Sequence, residues 1–201
     1  MIKIPDQLDP PSNVFAMATP HHLLLKLYWE IKQLRASLVS RGRSVADTHA
    51  PAYHAFNCAV TCWHLTDWVW EAADDYQRQL MSSVFETRLK AVEDFQIAMR
   101  SKHRSLYICW QIANGSKHFR LRKTDPKIKT DEVWEYRPAM AGRMRAGQRL
   151  GSYVYRLSLT DGDQRRGALE IFEDALKVWE RELAAWFFIE GRYIGPDDDS
   201  P

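Results

Sequence analysis

A chain of 201 residues that is 45% apolar and 27% charged can bury a core, which excludes a disordered or collagen-like protein. The formal net charge of +2 is unevenly spread, because residues 117–166 carry thirteen basic and six acidic side chains. Three cysteines without a CxxC pair, no apolar leader and no long apolar run predict a cytoplasmic protein with reduced thiols and no membrane contact.

The first predicted element is an amphipathic helix that follows an irregular, Pro-rich segment over residues 1–18. Thr19 is typical of a helix N-cap, and Pro20 suits the first helical position because its missing N–H would be unpaired there. Apolar residues then recur every three or four positions as far as Leu38. Gly42 is typical of the residue that follows a helix C-terminus and indicates where this helix ends.

Three more helices are predicted in the first 118 residues. The second covers about 52–75, after a loop that reaches Pro51, and its inner face carries Phe56, Val60, Trp63 and Trp70. The third covers about 83–100, with an inner face of Phe85, Leu89, Val92 and Met99. The fourth covers about 104–118 and turns Leu106, Trp110 and Ala113 inward.

The remaining pattern predicts a hairpin and a final helix. Residues 132–137 and 152–160 alternate polar with apolar side chains, which is typical of strands inside an insertion over 120–167. Strict helical spacing from Leu169 to Trp186 includes Trp179 and predicts a central core helix. We therefore expect a mainly α fold, an up-and-down bundle of about five helices with a small β-hairpin inserted before the last helix. It forms one domain over 19–195, followed by a polar tail over 196–201.

Two polar groups on these helices could carry chemistry. His64 and Asp67 lie three residues apart on the second helix, and Asn114, Lys117 and His118 lie on one side of the fourth. Lys117 could hold a phosphate while His118 moves a proton near neutral pH. Alternatively, paired buried polar groups fix helix register, and the cations only mark a helix end. Because the second and fourth helices of an up-and-down bundle are parallel, residue counting predicts Asp67 and His118 at one height.

The stretch Ile-Ala-Asn-Gly-Ser-Lys-His over 112–118, with Trp-His-Leu-Thr-Asp-Trp over 63–68, resembles a group of uncharacterised bacterial all-helical proteins. More distantly it is similar to the HEPN superfamily (higher-eukaryote and prokaryote nucleotide-binding domains). That resemblance implies a helical homodimer that binds or cuts RNA, as in toxin–antitoxin and phage-defence systems. It makes His118 the signature histidine, with Asn114 as its polar neighbour. The signature Arg, however, has no counterpart, since Gln, Ile and Ala stand at 111–113.

A basic run follows the histidine and is the predicted RNA contact: Arg120, Arg122, Lys123, Lys127 and Lys129. Such a run is also typical of a solvated loop. Two functions therefore stay open. One is a HEPN-like RNA-directed protein, a metal-independent RNase if it is an enzyme. The other is a non-enzymatic protein-interaction or regulatory module with a structural polar cluster. No HxxxH or HExxH spacing occurs, so we expect neither a metal site nor a cofactor.

Overall fold

The computed structural model describes residues 17–39, 45–117, 125–137 and 152–187. Within these ranges the chain is mainly helical, with a small antiparallel sheet of order β1-β2-β3 directly before the last helix, in agreement with the predicted class. The elements are α1 (Pro20–Val39), α2 (Val45–Ala72), α3 (Asp75–Val84), α4 (Val92–Lys102), α5 (Arg104–Lys117), β1 (Ile128–Arg137), β2 (Ser152–Asp161), β3 (Gln164–Gly167) and α6 (Ala168–Phe187).

The core lies among α1, α2, α5 and α6, and the contacts of α6 show how its neighbours run. The Trp179 indole N–H donates to the Cys62 carbonyl over 3.0 Å, and Phe172, seven residues earlier, lines a cleft with Ala55. Because Ala55 also precedes Cys62 by seven residues, α2 and α6 are parallel. His103, just before α5, lies 3.4 Å from the Glu182 carboxylate, whereas the later part of α5 meets the start of α6 in the cleft. Helix α5 is therefore antiparallel to both α6 and α2.

The predicted third helix is wrong in its first half, because residues 85–91 form a turn between α3, which the prediction missed, and α4. Helix α3 begins at the N-cap Asp74, whose side chain accepts a hydrogen bond from the Gln77 backbone N–H over 2.8 Å. It ends before a turn in which Glu86 has a φ of 51°, a left-handed conformation that no helix can continue through. Phe95 of α4 lies beside Trp70 and Trp186, and His103 lies beside Glu182, so α4 already runs opposite to α2. Helix α5 continues in that direction, because the chain does not reverse at His103 as the prediction required.

Two other predicted boundaries differ from the structure. Helix α2 already begins at Val45, and Pro51 lies inside it rather than ending a loop. Proline has a φ compatible with a helix, but it removes one N–H donor and its ring crowds the carbonyl four residues earlier, which is why the prediction placed it outside the helix. In the structure its ring is buried within α2. The hairpin pairs β1 with β2 as predicted, but β3 was missed because Gln-Arg-Arg-Gly has no apolar alternation.

Burial confirms most of the predicted tryptophan core. Trp179 and Trp186 are fully buried, and Trp63 is 5% exposed. Trp110 is turned inward as predicted but is only partly buried, and it packs beneath the Arg100 guanidinium with 4.1 Å between the guanidinium carbon and the ring centroid. Phe56 is 43% exposed and is also wrongly predicted, because it lies where α2 faces the sheet across a cleft. No helix of the described ranges has the length and apolarity to cross a bilayer.

Candidate functional site

The predicted polar cluster is divided by the direction of α5. The Asp67 carboxylate accepts a hydrogen bond from the Gln96 amide of α4 over 2.8 Å. The rings of Trp63 and Trp110 lie 6.3 Å apart and mark one level of the antiparallel α2 and α5. Asp67 and Asn114 each follow those tryptophans by four residues, so they lie about 12 Å apart along the bundle axis. The predicted equal height of Asp67 and His118 therefore rests on a wrong premise.

Several predicted site residues fall outside what the structure describes. Lys117 ends α5, but its side chain is outside the description, as are residues 118–124, which include His118, Arg120, Arg122 and Lys123. Their roles stay predictions. His64 is half-buried on α2, and Lys127 and Lys129 are exposed at the start of β1. The structure thus places only the end of the basic run, at the edge of the sheet.

A buried histidine–carboxylate pair does occur, at a position that sequence reasoning missed. His103 is the single residue between α4 and α5, and its Nε2 lies 3.4 Å from Oε1 of Glu182, with side chains 9% and 6% exposed. Burial opposes ionisation of Glu182, but His103 and Arg181 outweigh it and hold the pKa of that carboxyl below its usual value. The pair joins the α4–α5 junction to α6 and has almost no solvent access. Only the three-dimensional approach of α6 reveals it.

Gln111 stands where the resemblance would require the signature Arg, and the structure gives it a structural contact. Its amide N–H donates to the Tyr107 hydroxyl over 3.2 Å, and that hydroxyl donates to the Asp125 carboxylate over 3.1 Å. Arg104 donates to both carboxylate oxygens of Asp161, which lowers the pKa of that carboxyl below its usual value. This network fixes the first residues of β1 against α5, and with them the exposed end of the basic run.

A cleft of about 380 Å³ separates the sheet from α2, α5 and α6. Its apolar walls come from both layers: Ala55, Phe56, Ile112, Leu157, Leu159 and Phe172. On its sheet side, Glu132 accepts a hydrogen bond from the Tyr155 hydroxyl, and Asp131 pairs with Arg165 over 2.8 Å. Ile112 begins the stretch that ends in Lys117 and His118, so the cleft adjoins the end of α5. The cleft is therefore a concavity that adjoins the predicted motif.

Two exposed aromatic side chains flank this cleft. Phe56 lines it and is 43% exposed, and Tyr53, one helical turn earlier on α2, is 60% exposed. Helical spacing predicts that Phe56 lies in the core, because sequence periodicity does not show that a cleft separates the sheet from α2 at this position. The pair offers two flat apolar surfaces beside the start of the basic run.

The three cysteines lie in the core and not at a reactive surface. Cys58, Cys62 and Cys109 are free thiols with no exposed area. Burial, with the nearby Glu30 carboxylate, raises the pKa of Cys58, while a hydrogen bond with Cys62 and burial raise that of Cys109. Among the described residues, no group of three or more His, Cys, Asp or Glu side chains is arranged to hold a metal ion.

No family model, curated protein or solved structure matches this chain. The HEPN resemblance therefore rests on the quoted motif residues alone. Function has to be inferred from the cleft, the exposed aromatic pair and the charges around them.

Proposed function

We propose that this protein binds single-stranded RNA without cleaving it, as a HEPN-like relative in a bacterial toxin–antitoxin or phage-defence setting. The basic run over 117–129 contacts phosphates, and Tyr53 and Phe56 stack on bases. One observation carries the proposal: the exposed Phe56 lines the same cleft as Ile112 of α5, five residues before the basic run begins at Lys117, and Tyr53 is exposed one turn earlier on α2. Flat aromatic surfaces next to a line of cations are the usual elements of a single-strand binding surface.

The charges that the structure describes support phosphate contact. Lys127 and Lys129 are exposed, and neither is in an ion pair within the described ranges. Each cation that neutralises a phosphate releases counterions, so affinity gained this way depends on salt. Stacking on an aromatic ring adds about 1–3 kcal/mol per base and depends little on salt. The two contributions can therefore be measured separately.

The arrangement of the acid and base candidates that the structure describes supports binding without cleavage. General acid–base catalysis needs groups within hydrogen-bond reach of the substrate. Asp67 is hydrogen-bonded to Gln96, and the His103–Glu182 pair is nearly closed to solvent. A glutamine at position 111 cannot replace the charge of the signature Arg.

The test is fluorescence anisotropy with a short labelled single-stranded RNA of mixed sequence, titrated at several salt concentrations. The triple variant Arg120→Gln/Arg122→Gln/Lys123→Gln should reduce the slope of log affinity against log salt by about 2. Phe56→Ala should lower affinity by about 1–3 kcal/mol and leave that slope unchanged. Trp29→Ala is the matched control, since Trp29 is 57% exposed on α1, and it should change neither.

A denaturing gel run after incubation without metal completes the experiment, and the RNA should stay intact. Absence of RNA binding, or binding indifferent to salt and to the triple variant, would overturn the proposal. RNA cut in a His118-dependent way would instead establish the RNase function.

A second candidate, the protein-interaction module, is favoured by the ion pairs of the sheet. Arg165 pairs with Asp131 over 2.8 Å and Arg166 with Asp174 over 2.6 Å, so the cations of β3 are already neutralised. A partner protein that inserts an apolar side chain into the cleft would use the same aromatic rim. The predicted homodimer is one such partner, and light scattering on a gel-filtration column measures it.

A further inference from the structure

A second concave site lies at the other end of α2 from the cleft. It has a volume of about 720 Å³ and is formed by α3, the turn over 85–91 and Trp70 near the end of α2. Fourteen helical residues separate Phe56 from Trp70, a rise of about 21 Å. The two sites therefore cannot share one small ligand.

Three cationic side chains line this second concavity, and one of them is held in place. A terminal guanidinium nitrogen of Arg78 donates to the Trp70 carbonyl over 3.1 Å, and the guanidinium carbon lies 4.8 Å from the Trp70 ring centroid. Arg88 and Lys90 are exposed on the turn, and neither is in an ion pair in the part of the chain that the structure describes. One fixed and two uncompensated cations thus face the same space.

Acidic and hydroxyl side chains complete the lining. Asp75 and Glu86 contribute carboxylates, yet within the described residues no ion pair joins either of them to a cation. Ser83 and Thr87 add hydroxyl groups on exposed positions. Because no ion pair joins these carboxylates to the cations within the described residues, both kinds of charge remain available to a ligand with anionic and hydrogen-donating ends.

We propose that this concavity binds a phosphomonoester group on a hydroxyl-bearing ligand. The phosphoryl oxygens take charge-assisted hydrogen bonds from Arg78, Arg88 and Lys90, for which a guanidinium fork is well suited. The ligand hydroxyls donate to Asp75 and Glu86. Because those carboxylates repel additional negative charge, the site favours a single phosphoryl group over a polyphosphate.

Isothermal titration calorimetry with glycerol 3-phosphate, inorganic phosphate and glycerol tests this directly. Glycerol 3-phosphate should bind more tightly than inorganic phosphate, and glycerol should not bind. Arg88→Gln/Lys90→Gln should weaken glycerol 3-phosphate binding by roughly tenfold or more, since two charge-assisted contacts are lost. The control Lys32→Gln/Arg35→Gln removes the same charge from α1 and should leave binding unchanged.

The carboxylates have their own test. Asp75→Asn/Glu86→Gln should strengthen binding of inorganic phosphate and reduce the preference for glycerol 3-phosphate over it. The opposite result, weaker phosphate binding with an unchanged preference, would overturn their assigned role.

Binding measurements with RNA distinguish two possible ligands of this site, a free phosphorylated small molecule and the 5′-terminal phosphate of an RNA. If an RNA end is the source, 5′-phosphorylated RNA should bind more tightly than 5′-hydroxyl RNA, and Arg88→Gln/Lys90→Gln should remove the difference. Binding of 5′-hydroxyl RNA should not respond to this variant, which keeps the test independent of the proposed RNA function. The proposal is overturned if no phosphomonoester binds the folded protein, or if Arg88→Gln/Lys90→Gln binds as tightly as the unchanged chain.

Discussion

Replacing Trp179 with Ala should remove a large part of the stability of this protein. The side chain has no exposed area, and its indole N–H donates to the Cys62 carbonyl of α2 over 3.0 Å. Truncating a buried tryptophan costs about 3–5 kcal/mol through lost transfer energy and the cavity left behind. Typical domains have a free energy of unfolding of only about 5–15 kcal/mol, so the substitution should remove a fifth of it or more.

Guanidinium chloride unfolding followed by circular dichroism measures the effect. Trp179→Phe keeps an aromatic ring but loses the N–H donor, so it should lower the free energy of unfolding by less than Trp179→Ala does. Comparing the two variants separates the contribution of packing from that of the hydrogen bond. Trp29→Ala, at a position 57% exposed, should stay within about 0.5 kcal/mol of the unchanged chain. The reasoning fails if Trp179→Ala unfolds at the same midpoint as Trp29→Ala.

Two further predictions concern titration and thiol chemistry. Since the hydrogen bonds from Arg104 lower the pKa of Asp161, this pair stabilises the fold above about pH 4, and the contribution disappears as pH falls through the lowered pKa. Arg104→Gln should therefore lower the free energy of unfolding in urea at neutral pH, by less than about 1 kcal/mol because the pair is partly exposed, and should match the unchanged chain once the pH is below the lowered pKa of Asp161. Cys58, Cys62 and Cys109 should not react with Ellman's reagent in the native protein and should all react in denaturant; a stoichiometric native reaction would contradict their burial.

Sequence reasoning worked where one residue spacing admits a single structure. The apolar stripe from Leu169 to Trp186 predicts a core helix, and α6 spans Ala168–Phe187. It failed between α3 and α4, because Phe85, Leu89 and Val92 are spaced as one helix would space them. Periodicity records which side chains turn inward but not whether the backbone between them stays right-handed, as Glu86 does not.

The direction of α5 decides how much of the site could be predicted. The polar residues were identified from their types and spacing, but grouping them required that direction. The prediction assumed that the chain reverses before Arg104, whereas α4 and α5 run the same way, so the predicted meeting of Asp67 with His118 loses its basis. The Gln96 amide that hydrogen-bonds Asp67 lies on α4, which the prediction had extended back to about residue 83. Pairings across distant elements, such as His103 with Glu182, carry no local signal at all.

The hydrogen bond between Trp179 and Cys62 spans 117 residues of sequence, and this bears on how the protein is made. A ribosome adds about 5–20 residues per second, so α1, α2 and α5 leave the exit tunnel well before α6 does. During that interval the apolar side chains that α6 will cover are exposed to solvent or to a chaperone. The nascent chain is therefore most prone to aggregate just before its last helix is released, and slowing translation at that point would lengthen the exposure.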